Sequence, residues 1–276
     1  MTSTVRTALV TGSTDGIGKE TALGLARAGL RVFVHGRSKP KVEHAVAELS
    51  AQAPEATFEG VSFDLGSLAS IRRGFADLGE RLDTLHVLVN NAGIFSPERV
   101  ITGDGIEMTL AVNHVGHYLL TELLRPALRK AGSARVIIVS SIAHTRGRIH
   151  LEDLTLEKAY TGYAAYAQSK LANVMHALDL AASNNPAELA VYALHPGVIS
   201  TKLLREGFGP VRGSSPHHGA ATSIRLATAE TIVEPSGTYF SEGYPTPVAA
   251  AAGDAAVRDA LRAATHKYAG LPVAGA

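Results

Sequence analysis

The segment YAQSK, residues 166 to 170, sets a tyrosine and a lysine four positions apart, so that on a helix Tyr166 and Lys170 share one face. A phenol beside an ammonium is equipped to pass a proton to an oxygen and take it back. Free tyrosine, with a pKa of about 10, is a poor base near neutrality, and a neighbouring cation favours its phenolate. Neither Tyr160 nor Tyr163 has a lysine at that offset. The same spacing also arises in helices where both side chains only pack or face water, so the chemical reading needs partners from elsewhere in the chain.

A second group stands near the N-terminus. TGSTDGIGKE carries Gly12, Gly16 and Gly18 directly after an apolar run and directly before a helical pattern. Glycines there let the chain turn tightly and bring backbone N–H groups up to a pyrophosphate, whose charge the helix dipole favours. The G-x-x-x-G-x-G spacing departs from the commoner G-x-G-x-x-G, and a plain turn is the competing reading. About 20 residues past such a turn, an Asp or Glu commonly receives the ribose 2′-hydroxyl of NAD. Here the region is FVHGRSKPK, with Arg37, Lys39 and Lys41 and no acid before Glu43. A guanidinium can pair with a 2′-phosphate. The reading is therefore NADP(H), with Arg37 as its principal contact and Ser13 as a helper; a solvated basic turn opening the next helix is the alternative.

These residues need a scaffold that brings the ends of several strands together. Short β-rich runs alternate with longer amphipathic stretches, the pattern of strand and helix units around a parallel sheet. Strands are expected at 7–11, 31–35, 58–63, 86–90, 135–140, 189–195 and 237–240. Helices are expected near 17–28, 39–52, 67–81, 105–130, 163–183, 216–228 and 253–268. The expectation is a single α/β domain over 1–276, a Rossmann-type, doubly wound, seven-stranded parallel sheet flanked by helices. Residues 143–162 and the Gly/Pro/Ser-rich stretch within 202–218 break the alternation and read as lids or substrate loops.

Composition narrows the function classes. Of 276 residues, 46% are hydrophobic and 18% charged, with a formal net charge of +1. The chain can bury a large core and carries no charge excess aimed at nucleic acid or an anionic membrane. Cysteine is absent, which excludes disulfides, thiolate catalysis and cysteine-bound zinc and makes an intracellular, cytoplasmic compartment the default reading. The opening MTSTVRTALVTGS reads as a direct lead into a strand and not as a signal peptide. No apolar run reaches the roughly 18 residues of a membrane span. The 12 histidines are scattered. His114 and His117 stand three apart, but without cysteine or an H-E-x-x-H motif the histidines read as solvated or hydrogen-bonded surface residues, and no metal is expected.

Four motifs in order, TGSTDGIG (11–18), NNAG (90–93), VSS (139–141) and YAQSK (166–170), resemble those of the short-chain dehydrogenase/reductase family. Asn113 in AVNHVGHYLLT and the segment HPGVIST (195–201) extend the likeness over almost the whole chain. The resemblance implies a nicotinamide-dependent oxidoreductase in which Ser141, Tyr166, Lys170 and Asn113 are catalytic. Tyr166 would donate a proton in carbonyl reduction and accept one in alcohol oxidation, while Lys170 would lower its pKa and hold the nicotinamide ribose. Ser141, the second of the adjacent Ser140 and Ser141, would hydrogen-bond the substrate oxygen, and Asn113 would hold a water beside Lys170. The cofactor would lie against Gly12, Ser13, Asp15, Gly16, Ile17 and Gly18, and its adenine near Asp64, Leu65 and Asn90. Ala92 and Gly93 would line its path, and Pro196, Gly197, Ile199 and Thr201 would turn beneath the nicotinamide. Read alone, Asn113 is also a helix residue bonding local backbone, Asp64 a helix cap, and Ser140 and Ser141 strand-end polars.

NHVGHYLLTELL, AYAQSKLANV, HPGVISTKLL and GTYF are similar to the branch of the retinol dehydrogenases and the WW-domain oxidoreductase. That branch also has an extended insert between the serine and the tyrosine, and here Tyr166 follows Ser141 by 25 positions. Vertebrate members of the branch usually carry a membrane-anchoring segment; none is read here, so retinoid specificity is not carried over. The expected function is NADP(H)-dependent reduction of a ketone or aldehyde on a small, largely apolar molecule. Its pocket would be built from Ile94, Phe95, Ile142, Ala143, the insert and the 202–218 loop. A cofactor-binding sensor or scaffold that turns nothing over, and a reductase of ketoacyl or sugar substrates, are the rival readings. Helices 105–130 and 163–183 offer apolar surface for a homodimer, unless the insert or the C-terminal segment covers it and leaves a monomer.

Overall fold

Val10 lies in register with Val34 on one flank and with Val89 on the other, which sets the carboxyl ends of three strands side by side. The computed structural model describes residues 5–272, so the two ends of the expected 1–276 domain, 1–4 and 273–276, lie outside the described residues. The strands are β1 (Thr7–Val10), β2 (Arg31–Gly36), β3 (Phe58–Ser62), β4 (Val87–Asn90), β5 (Ala134–Val139), β6 (Leu189–His195), β7 (Tyr239–Ser241) and β8 (Tyr244–Pro245). They form one sheet in the order β3-β2-β1-β4-β5-β6-β7-β8. All pairs run parallel except β7 with β8. The winding reverses between β1 and β4, the crevice where open α/β sheets bind ligands.

The apolar runs form strands because both faces of the sheet are covered. Every residue of β1 and β4 is buried. Along β1 the side chains alternate, Ala8 and Val10 joining one core and Leu9 the other. The first core packs beneath α1 (Gly16–Arg27), α2 (Lys39–Gln52) and α8 (Pro216–Thr228). The second packs beneath α3 (Leu68–Gly79), α5 (Gly116–Lys130) and α6 (Gly162–Ala182). Local signals fix where helices begin: Asp15, Ser67, Thr161 and Ser215 each accept a backbone N–H from the first turn of the helix they cap.

Three expectations change. The helix over 105–130 is not continuous: it opens as α4 (Met108–Leu110), with Gly105 outside it at φ 77°, passes through a π-helical turn (Ala111–Val115) and resumes as α5. The buried Glu107 carboxylate caps this composite helix, accepting the Thr109 and Leu110 N–H groups at 2.8 Å each. The sheet has eight strands and not seven. β8 is two residues long and is joined to β7 by Glu242 and Gly243, both at positive φ, a hairpin too short for apolar periodicity to reveal. Finally, α7 (Lys202–Phe208) forms inside a segment expected to be irregular.

The insert does not cover the sheet ends as a lid. Beyond a 3₁₀ turn (Ile142–Arg146) it straps back onto α6, where Gln168 accepts the His150 N–H at 3.0 Å and donates to the Leu154 carbonyl at 2.9 Å. The Tyr160 hydroxyl ties its far end to the Ser96 carbonyl at 2.8 Å. A last helix, α9 (Ala255–Tyr268), lies across the α5 and α6 layer. His114 meets Thr265 at 3.0 Å, Tyr118 meets His266 at 3.2 Å, and Asp179 takes Arg258 at 2.9 Å and Arg262 at 3.1 Å. The chain's own C-terminal helix thus packs against the face expected to receive a second copy. No helix among the described residues is long and apolar enough to cross a membrane.

Candidate active site

Where β5 ends, two adjacent serines take different tasks. Ser140 is buried and donates its hydroxyl to the Lys170 carbonyl at 2.7 Å, tying the strand end to α6. Ser141 caps the 3₁₀ turn, accepting the Ala143 N–H at 3.2 Å, and lines a cavity. Both serines line the cavity, but the Ser140 hydroxyl is taken up by the Lys170 carbonyl, which leaves that of Ser141 as the one presented.

Tyr166 and Lys170 line the same cavity from α6, one turn apart, and both are buried. The Lys170 ammonium donates to the Val139 carbonyl at 3.0 Å and lies 5.5 Å from the centre of the Tyr166 ring. Burial pushes the phenol up to about 12, opposed by the Ser141 hydroxyl, and pulls the ammonium down to about 8. Desolvation thus dominates at Tyr166, and the group that opposes it is the Ser141 hydroxyl, not Lys170 as expected. The protein's own surroundings keep the phenol in its proton-donating form.

Asn113 sits in the π-helical turn, wholly buried and behind the cavity wall. Its side chain accepts the Ile94 N–H at 2.8 Å and donates to the Ile94 carbonyl at 3.0 Å and to the Ser169 hydroxyl at 2.9 Å. This amide braces the backbone after Gly93. Gly93 itself packs between them, for a Cβ there would stand 3.4 Å from the Lys170 ammonium and 3.7 Å from the Asn113 side-chain oxygen.

The cavity, of about 920 Å³, follows the strand ends from Asp64 and Arg37 past the glycine turn to Ser141, Tyr166 and Phe208. Its glycine wall suits a dinucleotide. Gly12 and Gly16 adopt φ 63° and 56°, which favours glycine, and a Cβ on Gly18 would run into the Gly12 carbonyl oxygen and the Asn91 amide. His35 holds the turn in place: Nδ1 accepts the Gly12 N–H at 3.1 Å and Nε2 donates to the Phe63 carbonyl at 3.0 Å. Burial lowers the pKa of this ring to about 4. Asp64 accepts the Gly66 N–H at 2.8 Å and lines the cavity, while the helix cap is Ser67. Arg37 is exposed and has no ion pair or hydrogen bond among the described residues.

Of the residues expected at the cofactor, all but Ser13 and Asn90 line this cavity. Ser13 is buried, donating to the Val10 carbonyl at 2.7 Å and accepting the His35 N–H at 2.9 Å, so its hydroxyl cannot help hold a 2′-phosphate. Asn90 points into the core and donates to Thr121 at 2.9 Å. Thr14 and Asn91, each one position further on, line the cavity instead. Phe95 stands behind the wall, 6.0 Å from Tyr166 and 5.4 Å from Phe208 between ring centres. From the insert only Ala143, Thr145 and Arg146 reach the cavity.

Sequence reasoning passed over several contributors. Six histidines read as surface residues are buried: His35, His114, His117, His144, His176 and His195. His195 lines the cavity with its Nδ1 buried and unpartnered among the described residues. Its position before Pro196 was the available signal. Among the described residues no group of three His, Asp or Glu side chains could hold a metal ion.

A sequence model described as short chain dehydrogenase matches residues 6–208. The chain belongs to the short-chain dehydrogenase family. Within that family it is similar to retinol dehydrogenase 12 of Bos taurus, 41% identical over 244 residues that cover 85% of this chain and 77% of the relative. Among solved structures it is similar to a protein of Mycobacterium paratuberculosis, with a TM-score of 0.78 and 32% identity over 96% of this chain and 94% of that one. It is also similar to the NADPH-bound carbonyl reductase from chicken fatty liver, with a TM-score of 0.68 and 25% identity over 88% of this chain and 98% of that one. This short-chain dehydrogenase is an oxidoreductase, and its cofactor is a nicotinamide dinucleotide.

Proposed function

We propose that the enzyme uses NADPH to reduce the carbonyl of a small, largely apolar ketone or aldehyde, and runs the reverse oxidation of the alcohol with NADP⁺. The observation that carries this reading is the wall around the two hydroxyls of Ser141 and Tyr166. Ile94, Ile142, Ala143, Leu203 and Phe208 line the cavity with them, alongside Thr145, Arg146, Tyr163 and His195, while its carboxylates and amide, Asp15, Asp64 and Asn91, come from the glycine turn and its neighbours, where the cofactor is expected. Such a wall accepts an apolar body and leaves two hydroxyls as the polar anchors for one oxygen.

Ser141 donates its hydroxyl to the carbonyl oxygen and fixes it beside Tyr166. Tyr166 then delivers the phenolic proton as negative charge grows on that oxygen. Lys170, as an ammonium, stabilises the phenolate left behind. Asn113 acts at one remove, by fixing Ile94 and the loop that lays Gly93 against Lys170. Gly12, Gly16 and Gly18 would cradle the pyrophosphate of the cofactor, and Arg37 would pair with its 2′-phosphate. Bound there, NADPH supplies the hydride. We further read the enzyme as cytoplasmic and as a monomer, the latter because α9 packs against the α5 and α6 face.

The test follows NADPH absorbance, with NADH in parallel, over a panel of aromatic and aliphatic ketones and aldehydes. The names of the similar retinol dehydrogenases add a polyene aldehyde to that panel. Turnover with NADPH is expected in the wild type and is expected to vanish in Tyr166→Phe while NADPH still binds. Activity surviving in Tyr166→Phe would sink the mechanism.

A further inference from the structure

Two buried histidines repeat one hydrogen-bond arrangement behind the cavity wall. His117 and His144 each lie outside the lining, and each sits about one turn after a residue of the site. His117 Nδ1 meets the Asn113 carbonyl at 3.1 Å, and His144 Nδ1 meets the Ser141 carbonyl at 2.8 Å. A carbonyl only accepts, so both rings carry their proton on Nδ1 and present Nε2 as an acceptor. The acceptor nitrogens face donors from distant parts of the chain. His117 Nε2 takes the Thr11 hydroxyl at 2.8 Å, and His144 Nε2 takes the Ala249 N–H at 3.2 Å.

The His117 bonds belong to a longer chain. Thr11 itself accepts the N–H groups of Asn91 and Ala92 at 2.8 and 3.0 Å. One line of bonds thus runs from the 90–93 loop through the end of β1 to the π-helical turn that carries Asn113. A π turn is a marginal backbone form. Here a side chain from the next turn pins its carbonyl. On the other side of the site, His144 joins the 3₁₀ turn opened by Ser141 to the segment ahead of α9.

We propose that His117 and His144 are positioning residues of the reaction: they set the backbone at Asn113 and Ser141, and through it the brace on Ile94 and the hydroxyl beside Tyr166. The proposal rests on the role given above to Ser141 and Tyr166. Neither ring touches the cavity, so neither exchanges protons with a substrate.

Amide side chains separate the two bonds of each ring. Asn keeps a donor near the Nδ1 position and drops the distant acceptor, whereas Gln keeps an acceptor near Nε2 and drops the near donor. His117→Asn and His144→Asn are expected to keep kcat within roughly threefold of wild type, because the bond to the site backbone survives. His117→Gln and His144→Gln are expected to lower kcat by about 30-fold or more, since small misplacements of reacting groups are costly, with NADPH binding and KM nearly unchanged. Thermal unfolding of all four variants separates a lost fold from a lost position. Independently of turnover, ¹⁵N NMR of histidine-labelled protein is expected to show both rings neutral with the proton on Nδ1, the less common tautomer of the free side chain.

Gln variants with wild-type kcat, Asn variants that fail as badly as Gln while folded, or rings protonated on Nε2 would each overturn the proposal. Ser141→Ala and Tyr166→Phe run beside them. If those two retain turnover, the reading of the site is what fails; if they lose it and the Gln variants do not, only the histidine proposal fails.

Discussion

The ring of Phe208 stands edge-on to that of Tyr166, with centroids 5.7 Å apart and planes inclined by 75°. Burial is what raises the phenol, and Phe208 supplies part of that cover from α7. Phe208→Ala is expected to admit water over Tyr166 and to lower kcat/KM for apolar carbonyls roughly tenfold, the scale of a lost aromatic contact. Unchanged kcat/KM across the panel would remove Phe208 from the reaction centre.

Arg37 should read the 2′-phosphate and nothing else. In Arg37→Gln the KM for NADPH is expected to rise by about 10- to 100-fold, the worth of a charge-assisted bond, with NADH barely affected. Steady-state kinetics with both cofactors decides. An equal loss for both would mean that Arg37 supports the turn and does not select the cofactor.

Reduction should fade on the alkaline side. Lys170 is pulled down to about 8 from 10.5 by burial, so its ammonium is lost as pH rises through about 8. Tyr166, held up to about 12, keeps its proton over the same range. The fall in kcat above pH 8 therefore belongs to Lys170, and Lys170→Met should abolish the limb along with most activity. Stability moves the opposite way: between about 8 and 10.5 the unfolded chain binds a proton that the folded chain does not, so unfolding becomes harder as pH rises. A pH–rate profile flat from 7 to about 9.5 would contradict this assignment.

Acid should unfold the protein early. Burial lowers the rings of His35 and His114 to about 4 and those of His117 and His176 to about 3. Their unfolded value is 6.5, so their neutral-state contribution is complete above that pH and is withdrawn as pH falls toward the folded values. Each ring can remove up to about 1.4 kcal/mol per pH unit in that window. Thermal unfolding at pH 5 should therefore begin well below the temperature seen at pH 7.5, and equal melting temperatures would refute the claim.

Light scattering on the eluting protein should give the mass of one chain. The ion pairs of Asp179 with Arg258 and Arg262 help hold α9 over α5 and α6. Asp179→Ala should loosen that helix, leaving the Arg258 guanidinium without its ion pair, while Arg262 keeps Asp259 at 2.8 Å, and exposing an apolar face. Concentration-dependent growth in mass is expected for the variant alone; a wild-type dimer would show that the pairing face lies elsewhere.

What the sequence made legible was set by local spacing. The offset of Tyr166 and Lys170, the glycines at 12, 16 and 18, and the alternation of apolar runs all act within one turn or one strand. What it hid depends on distant parts of the chain. Ser13 and Asn90 each stand one residue short of the side chain that lines the cavity, Thr14 and Asn91, because side-chain parity depends on where a strand stops bonding to its neighbour. The π-helical turn leaves no periodic mark over five residues, and two-residue β8 leaves none at all. The histidines looked solvated because their partners, Thr11, Ala249 and Phe63, stand 106, 105 and 28 positions away.

α7 contains no buried residue and contributes to neither large core, yet Leu203, Leu204 and Phe208 line the cavity beside the reactive phenol. The roof of the reaction centre is thus evolvable at little thermodynamic risk. Drift at those three positions would redraw the accepted compounds while the sheet and its two cores keep the fold, so related enzymes can diverge in diet long before they diverge in architecture.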